Sequence, residues 1–427
     1  MSDLTAPGFP GDAVRLRART GAAAAFPPAG EYGRVLFGAE SEADEQHGGA
    51  STGGGPQRDR LDGMRLVPPV FMPRRLAKLI DLGREPVYQD VVLDTVIGGF
   101  RSPLPVYVSA LGSTRAAGGD LGLALSRQAG ALGIPMVIGE NVVPLNGYGR
   151  TDADCDRDAD AGRSLLGRLT AYAQHLPEGP YGGVAVQQST EDADAEVWNL
   201  VYSDPAARPL LDSGRLAFEL KVGQGAKPGL GGMTVLGAEA GARVEGQYGI
   251  DPVFDGERVL RSSSPGTFTA EILRQQIRLM RNNFPKAKVW VKLFPGRDVA
   301  EAVRVAAEAG ADAVTVDGAE GGTGWAPSAF PRHVGLPLAE CLRRIGDPPP
   351  CLLVSGRMWE GSRAVKSLAL GATAVGLGRA ALLAVAEDGQ DGLIRFAECL
   401  SMEMRLLVSA LGKYSPGELS PDDIWSP

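Results

Sequence analysis

Residues 351–379 contain Cys351-Leu352-Leu353-Val354-Ser355-Gly356-Arg357, an amphipathic stretch from Gly361 to Leu370, and Thr373-Ala374-Val375-Gly376-Leu377-Gly378-Arg379. Two short apolar runs, each ending in glycine and arginine, flank one helical pattern. The order reads strand, turn, helix, strand, turn, helix. Glycines that follow a strand and open a helix expose backbone N–H groups at the helix N-terminus, which is a site for a phosphate. Ser355, Gly356, Gly376 and Gly378 form this site, and Arg357 or Arg379 adds a charge-assisted bond. Tight turning alone is the plainer account of the glycines. Gly376-x-Gly378-x-x-Ala381 has the outline of a dinucleotide fingerprint, but no further strand–helix–strand unit follows it.

Working outward, the same alternation runs back to residue 101. The apolar runs are Pro105–Ala110, Pro135–Gly139, Gly183–Gln188, Ala217–Val222, Lys288–Leu293, Ala313–Asp317, Cys351–Ser355 and Thr373–Leu377. They are short and rich in small or β-branched residues, as strands buried on both faces are. Helical spacing appears in Leu121–Leu132, Leu165–Leu176, Phe268–Met280, Val299–Ala309, Gly361–Leu370 and Ala380–Ala386. Ala193–Leu211 and Leu338–Ile345 are ambiguous. Eight strand–helix repeats predict an α/β fold, a closed (β/α)₈ TIM barrel with an N-terminal extension and a C-terminal helical tail. Two connections are long, Glu140 to Gly162 and Val222 to Phe268, and long loops after barrel strands are commonly functional.

The predicted division is a Gly/Ala/Pro-rich arm over 1–60, partly mobile, then a lead-in over 61–100, a barrel over 101–390, and a closing helix and tail over 391–427. Arg15 to Phe37 is expected to lie as an extended arm on the body. Met64–Phe71 reads as extended and Arg75–Leu82 as a helix. Composition is ordinary for a globular chain of 427 residues, with 44% hydrophobic and 22% charged. A net charge of -8 argues against a broad nucleic-acid or membrane surface. The four cysteines, Cys155, Cys341, Cys351 and Cys399, are widely spaced, which excludes a Cys-x-x-Cys zinc or iron–sulfur loop and fits a reducing cytoplasm. No two-His-plus-carboxylate cluster suggests a metal. His333 lies near a strand-end loop and reads as structural; His47 and His175 carry no assignment.

Polar residues gather at the strand ends: Ser109, Glu140, Gln187, Lys221, Lys292 and Asp317, then Glu320 and Gly321-Gly322-Thr323-Gly324. In a barrel these ends meet on one face, where barrel enzymes carry their chemistry. Phe218-Glu219-Leu220-Lys221-Val222-Gly223-Gln224-Gly225-Ala226-Lys227-Pro228-Gly229 runs a strand into two lysines and a glutamine among glycines. Solvated surface lysines are the plain alternative there, as snorkelling is for Lys292. Glu140 either caps a helix or handles a proton. A phosphate site with lysines and amides around one mouth suits FMN, whose ring edge becomes anionic on reduction. A phosphorylated sugar fits the same residues.

At these motifs the sequence resembles the FMN-binding domain family of glutamate synthase, especially its short stand-alone members. Lys221–Gly232 resembles the family's Gly-Ala-Lys-Pro-Gly signature. Gly321-Gly322-Thr323-Gly324 with Pro327, followed by His333-Val334-Gly335-Leu336-Pro337, is similar to the next. Ser355-Gly356-Arg357 through Gly371-Ala372 is similar to the phosphate block, and Met402–Leu419 to the closing helix. The resemblance covers roughly residues 64–425. It implies FMN contacts from Ser109, Ala110, Gln187, Lys292, Gly322, Ser355, Gly356, Gly376 and Gly378, with Gly321, Thr323, Arg357 and Arg379 beside them. Lys221, Gln224 and Lys227 would face flavin and substrate, with Glu140 managing a proton.

The chain departs from the family at several points. The iron–sulfur cysteines and an N-terminal catalytic cysteine are missing, Ser264-Pro265-Gly266-Thr267 lacks the family's histidines, and Leu111-Gly112-Ser113-Thr114 replaces a methionine-containing loop. The implied activity is FMN-dependent oxidoreduction on an amino acid or its imino or 2-oxo acid, such as 2-iminoglutarate to glutamate. Amidotransferase and electron-transfer subunits are the implied partners, and a homo-oligomer stays open. A non-redox FMN enzyme resembling type 2 isopentenyl diphosphate isomerase, or a flavin-binding assembly subunit, are the alternatives.

Overall fold

A computed structural model describes residues 4–31, 60–112, 121–140, 142–143, 148, 164–189, 196–246, 248–254, 256–323 and 325–426. Residues 51–56, His47, Ser113, Thr114, Asn141, Cys155 and Gly324, singled out above, lie outside them.

Eight parallel strands close a barrel: β1 Val106–Leu111, β2 Met136–Ile138, β3 Val184–Gln188, β4 Leu216–Lys221, β5 Lys288–Leu293, β6 Ala313–Asp317, β7 Leu352–Ser355 and β8 Ala374–Leu377. Each pairs with its sequence neighbours, and β8 pairs with β1. All eight apolar runs became these strands. The ambiguous Leu338–Ile345 is a helix, and Ala193–Leu211 contains the short helices Val197–Ser203 and Arg208–Asp212.

Alternation along each strand sorts the side chains into two layers. Leu216, Phe218 and Leu220 of β4 face outward into the helical shell. There Phe218 meets Phe284 edge-on at 4.8 Å and stacks on Trp198 at 5.7 Å. Burying a ring of this size contributes about 1.5–3 kcal/mol. Ala217, Trp290, Ala313, Leu353 and Ala374 face the barrel axis and form a separate inner core. The opposite end of the barrel is stoppered by the hairpin Thr95–Ile97/Phe100–Ser102. Trp290 Nε1 donates to the Gly98 carbonyl at 3.0 Å, and Phe100 lies 5.4 Å from the indole. That end is filled by apolar groups, whereas the polar strand ends lie at the C-terminal mouth.

Two readings change. Residues 15–20, the start of the stretch expected to be an extended arm, belong to the helix Gly11–Thr20. Val14, Arg17 and Ala18 make one buried face against the helices Arg379–Glu387 and Gly392–Ala410. The Val222–Phe268 connection is not a plain loop either. It folds into an antiparallel sheet with Arg258–Ser262 between Met233–Gly237 and Gly249–Asp251, plus the helix Ala238–Val244. Its strands are short and carry no sustained apolar–polar alternation, so the sequence pattern does not mark them.

Arg65–Leu66 pairs with Ile424–Trp425, so the lead-in and the tail are joined. Among the described residues, no helix is long and apolar enough to cross a membrane.

Candidate active site

Strand register brings the predicted polar residues together. Lys221 of β4 lies beside Lys292 of β5, Asp317 of β6 beside Ser355 of β7, and Ser355 beside Gly376 of β8. A cavity of about 830 Å³ opens at this mouth. Ser109, Ala110, Glu140, Gln187, Gln224, Lys227, Lys292, Gly321, Gly322, Thr323, Ser355, Gly356, Arg357, Gly376, Gly378 and Arg379 all line it. Lys221 does not. Its ammonium forms an ion pair with the lining residue Glu140.

The buried charges form a connected network. Lys292 Nζ lies 3.1 Å from Asp317 Oδ2, with both side chains 7% exposed. Asp317 also accepts hydrogen bonds from the Ser355 hydroxyl and, at 3.2 Å, from the Gly225 N–H. One layer deeper, the fully buried Glu219 carboxylate accepts from Gln187 Nε2 at 2.5 Å and from Thr315 Oγ1 at 3.1 Å. Burial alone would depress the Lys292 ammonium, but the Asp317 and Glu219 carboxylates outweigh it and hold its pKa above the usual lysine value. Burial pushes Glu219 up, and the nearby Asp317 charge adds to this. Burial also works against ionised Glu140, yet Lys221 prevails and holds its pKa below the ordinary carboxyl value.

Gly225 explains the glycines of the β4 loop. A Cβ there would come within 2.1 Å of the Gly318 carbonyl, so only glycine lets the β4 and β6 loops meet. The two loops also join where Gln224 Nε2 donates to Thr323 Oγ1 at 3.3 Å.

On the β7–β8 side, Gly356 and Arg357 both take positive φ, 137° and 52°. The two arginines there differ. Arg357 pairs with Asp62, which also takes the fully buried Arg363. Arg379 starts the helix Arg379–Glu387 and meets no carboxylate among the described residues. A cation at a helix N-terminus opposes the backbone dipole. Burial and the nearby Arg357 both favour its uncharged form.

Residues 210–388 match the family model described as the conserved region in glutamate synthase. This stretch runs from just before β4 through the helix after β8 and holds Glu219, Lys221, Lys292, Asp317 and Ser355 of the charged network. Over these residues the chain is similar to the conserved region of glutamate synthase. The glutamate synthase large subunit-like protein of Rhizobium meliloti is 34% identical over 181 residues, 40% of this chain and 40% of that protein. The archaeal-type glutamate synthase (NADPH) of Thermotoga maritima is 32% identical over 185 residues, 40% of this chain and 34% of that one. The match therefore spans two fifths or less of these relatives' length. Among solved structures, a soluble mutant of (S)-mandelate dehydrogenase from Pseudomonas putida aligns with TM-score 0.54 and 21% identity, covering 98% of this chain and 99% of that one. The flavin-binding domain of baker's yeast flavocytochrome b2 aligns with TM-score 0.52 and 18% identity, covering 86% of this chain and 76% of that one. Both share the fold.

Several site residues in the matched stretch have no counterpart in the sequence motifs. Glu219 carried a signal, a charge between apolar neighbours on a buried strand. Asp317 stands at its strand end, but nothing in the sequence pattern pairs it with Lys292. Glu320 caps the helix Leu338–Ile345, accepting from the Leu338 N–H at 3.0 Å. Outside the matched stretch, Tyr107 of β1 is buried beneath Gly376, and burial with the Asp317 and Glu219 charges pushes its hydroxyl well up. Met233, Thr234, Val235, Phe254, Arg258 and Trp325 form a further wall. Nothing in the pattern placed Leu4, Thr5, Ala6 and Phe9 on the cavity, yet they line it. His333 is exposed on the short helix Phe330–His333.

Proposed function

We propose that this chain binds FMN in the barrel mouth and acts as a glutamate-synthase-type oxidoreductase on an amino acid or the corresponding imino or 2-oxo acid. One observation carries the reading. A buried ammonium held in its charged form, Lys292, shares a cavity with a glycine-lined wall bearing Arg379, a cation that meets no carboxylate among the described residues. An isoalloxazine edge and a phosphate are the two anionic ends such a cavity fits. The glycines agree with that fit. A Cβ on Gly322 would come within 2.7 Å of the Arg379 guanidinium, and one on Gly376 would meet the Tyr107 ring. The glutamate synthases among the chain's relatives support the same reading.

Bound FMN would supply hydride transfer. The residues of the chain bind, orient and handle protons around it. Lys292, held by Asp317, which Ser355 in turn hydrogen-bonds, would offer positive charge to a ring edge that becomes anionic on reduction. Gly356, Gly378 and Arg379 offer N–H and guanidinium donors to the phosphate. Lys227 and Gln224 orient the substrate carboxylate. Glu140 is ionised at neutral pH and so accepts a proton rather than giving one. Lys221 holds that carboxylate and acts through it. We assign ammonia and electron supply to separate amidotransferase and electron-transfer subunits, and place the protein in the cytoplasm.

Purified protein should be yellow and release FMN on denaturation. Anaerobic titration with a panel of amino acids should bleach the flavin with one of them, and that compound names the substrate class. A colourless protein that takes up no added FMN sinks the reading. Turnover of an isopentenyl diphosphate without net flavin redox change would replace it with the isomerase alternative.

A further inference from the structure

The cavity has a wall that lies far from the glutamate-synthase-like stretch in sequence. Leu4, Thr5, Ala6 and Phe9 line it beside Leu382 and Leu383 of the helix that begins with Arg379. The Phe9 ring is 8% exposed, and the Arg379 guanidinium carbon lies 4.9 Å from its centroid. That contact falls within the range where a cation is held by an aromatic face. The same N-terminal segment grips the other end of that helix. Arg19 lies 2.8 Å and Arg15 lies 3.4 Å from the Glu387 carboxylate. Arg15 also donates to the Leu4 carbonyl at 2.7 Å, so the segment before the N-terminal helix is tied back onto it. Arg17 completes the anchor, 2.7 Å from Glu403 on the closing helix and 4.7 Å from the Trp359 ring.

We infer that residues 4–9 are a built part of the cofactor site and that Phe9 is a positioning residue, its ring holding the Arg379 guanidinium toward the FMN phosphate. The inference rests on the FMN reading above. Without Phe9 the guanidinium has no carboxylate among the described residues to fix it, so its donors lose their direction. The effect should fall on the phosphate end of the ligand and spare the ring end.

The test compares FMN with riboflavin, which lacks the phosphate, on refolded or flavin-stripped full-length protein. Dissociation constants are read from flavin fluorescence, which needs no turnover. The wild type should prefer FMN strongly. Phe9→Leu keeps an apolar wall but removes the π face. It should weaken FMN about 3- to 10-fold, the range of a partly desolvated cation–π contact, and leave riboflavin unchanged. Phe9→Tyr should restore the wild-type preference. Arg379→Gln should lose the preference and make the Phe9→Leu change silent. Equal weakening of both flavins, or an unchanged preference in Phe9→Leu, overturns the role given to Phe9 while FMN binding itself stands. A wild type that binds neither flavin sinks both readings.

Discussion

Lys292 and Asp317 show what one charge means in this barrel. Each is nearly inaccessible, so neither can turn to water if the other is removed. Lys292→Met should lower stability by about 3–5 kcal/mol, the range for stranding one member of a buried ion pair. Urea denaturation reads that loss, and Lys292→Arg, which keeps the charge, should lose less. The two glutamates respond to pH in opposite senses. The folded state holds Glu140 below its ordinary value of 4.5. Its contribution is therefore present above that value and lost as pH falls through the folded pKa. Glu140→Gln should flatten the acid side of the stability–pH curve. Glu219 is raised above 4.5. Its contribution is full below that value and lost as pH rises through the folded pKa. Glu219→Gln should therefore gain on the wild type as pH rises from acid to neutral. Denaturation midpoints across pH check both signs, and parallel curves would contradict them.

Elements decide which end of the barrel works. The hairpin Thr95–Ile97/Phe100–Ser102 closes the N-terminal end only because its turn sits against the Trp290 indole. Gly98 has φ 55°, and a Cβ there would lie 2.3–2.6 Å from indole atoms. Gly98→Ala should cost about 1–3 kcal/mol through overpacking, seen as a lower melting temperature. The mouth lies at the opposite end, so flavin affinity should not move. The barrel strands were legible as elements because burial on both faces leaves them nearly all apolar. Leu338–Ile345 was not, since Glu320, the residue that caps it, is eighteen positions away in sequence. The small sheet after β4 was hidden for a related reason. Its strands pair only with each other, and their partly exposed faces carry no sustained alternation.

Across the whole molecule, distant segments complete the site. Asp62 reaches from the lead-in to Arg357 and to Arg363, whose side chain is 0% exposed. Asp62→Asn removes the carboxylate facing both cations. Stability should fall toward the lower end of about 3–5 kcal/mol, because Asp62 itself is only partly buried. Denaturant titration checks it, and a loss within ordinary surface-pair values of about 0–1 kcal/mol would show that the pair is not structural. Arg357 and Arg379 were equivalent candidates in sequence. Asp62 separates them, by neutralising the first, while Phe9 touches the second.

The sequence by itself determined the barrel, because eight apolar runs with intervening helical stretches bury their surface in one closed arrangement. It also determined which strand ends carry lysine, glutamine, glycine and arginine, because strand polarity places all of those ends on one face. The tertiary structure alone decided how the charges are shared. Lys221 turns to Glu140 and Lys292 to Asp317, since register and side-chain alternation set neighbours across strands that are scores of residues apart. It alone brought Phe9 to Arg379 and Asp62 to Arg357. Contacts between chain segments so distant in sequence leave no local pattern, and only packing in three dimensions brings them within reach.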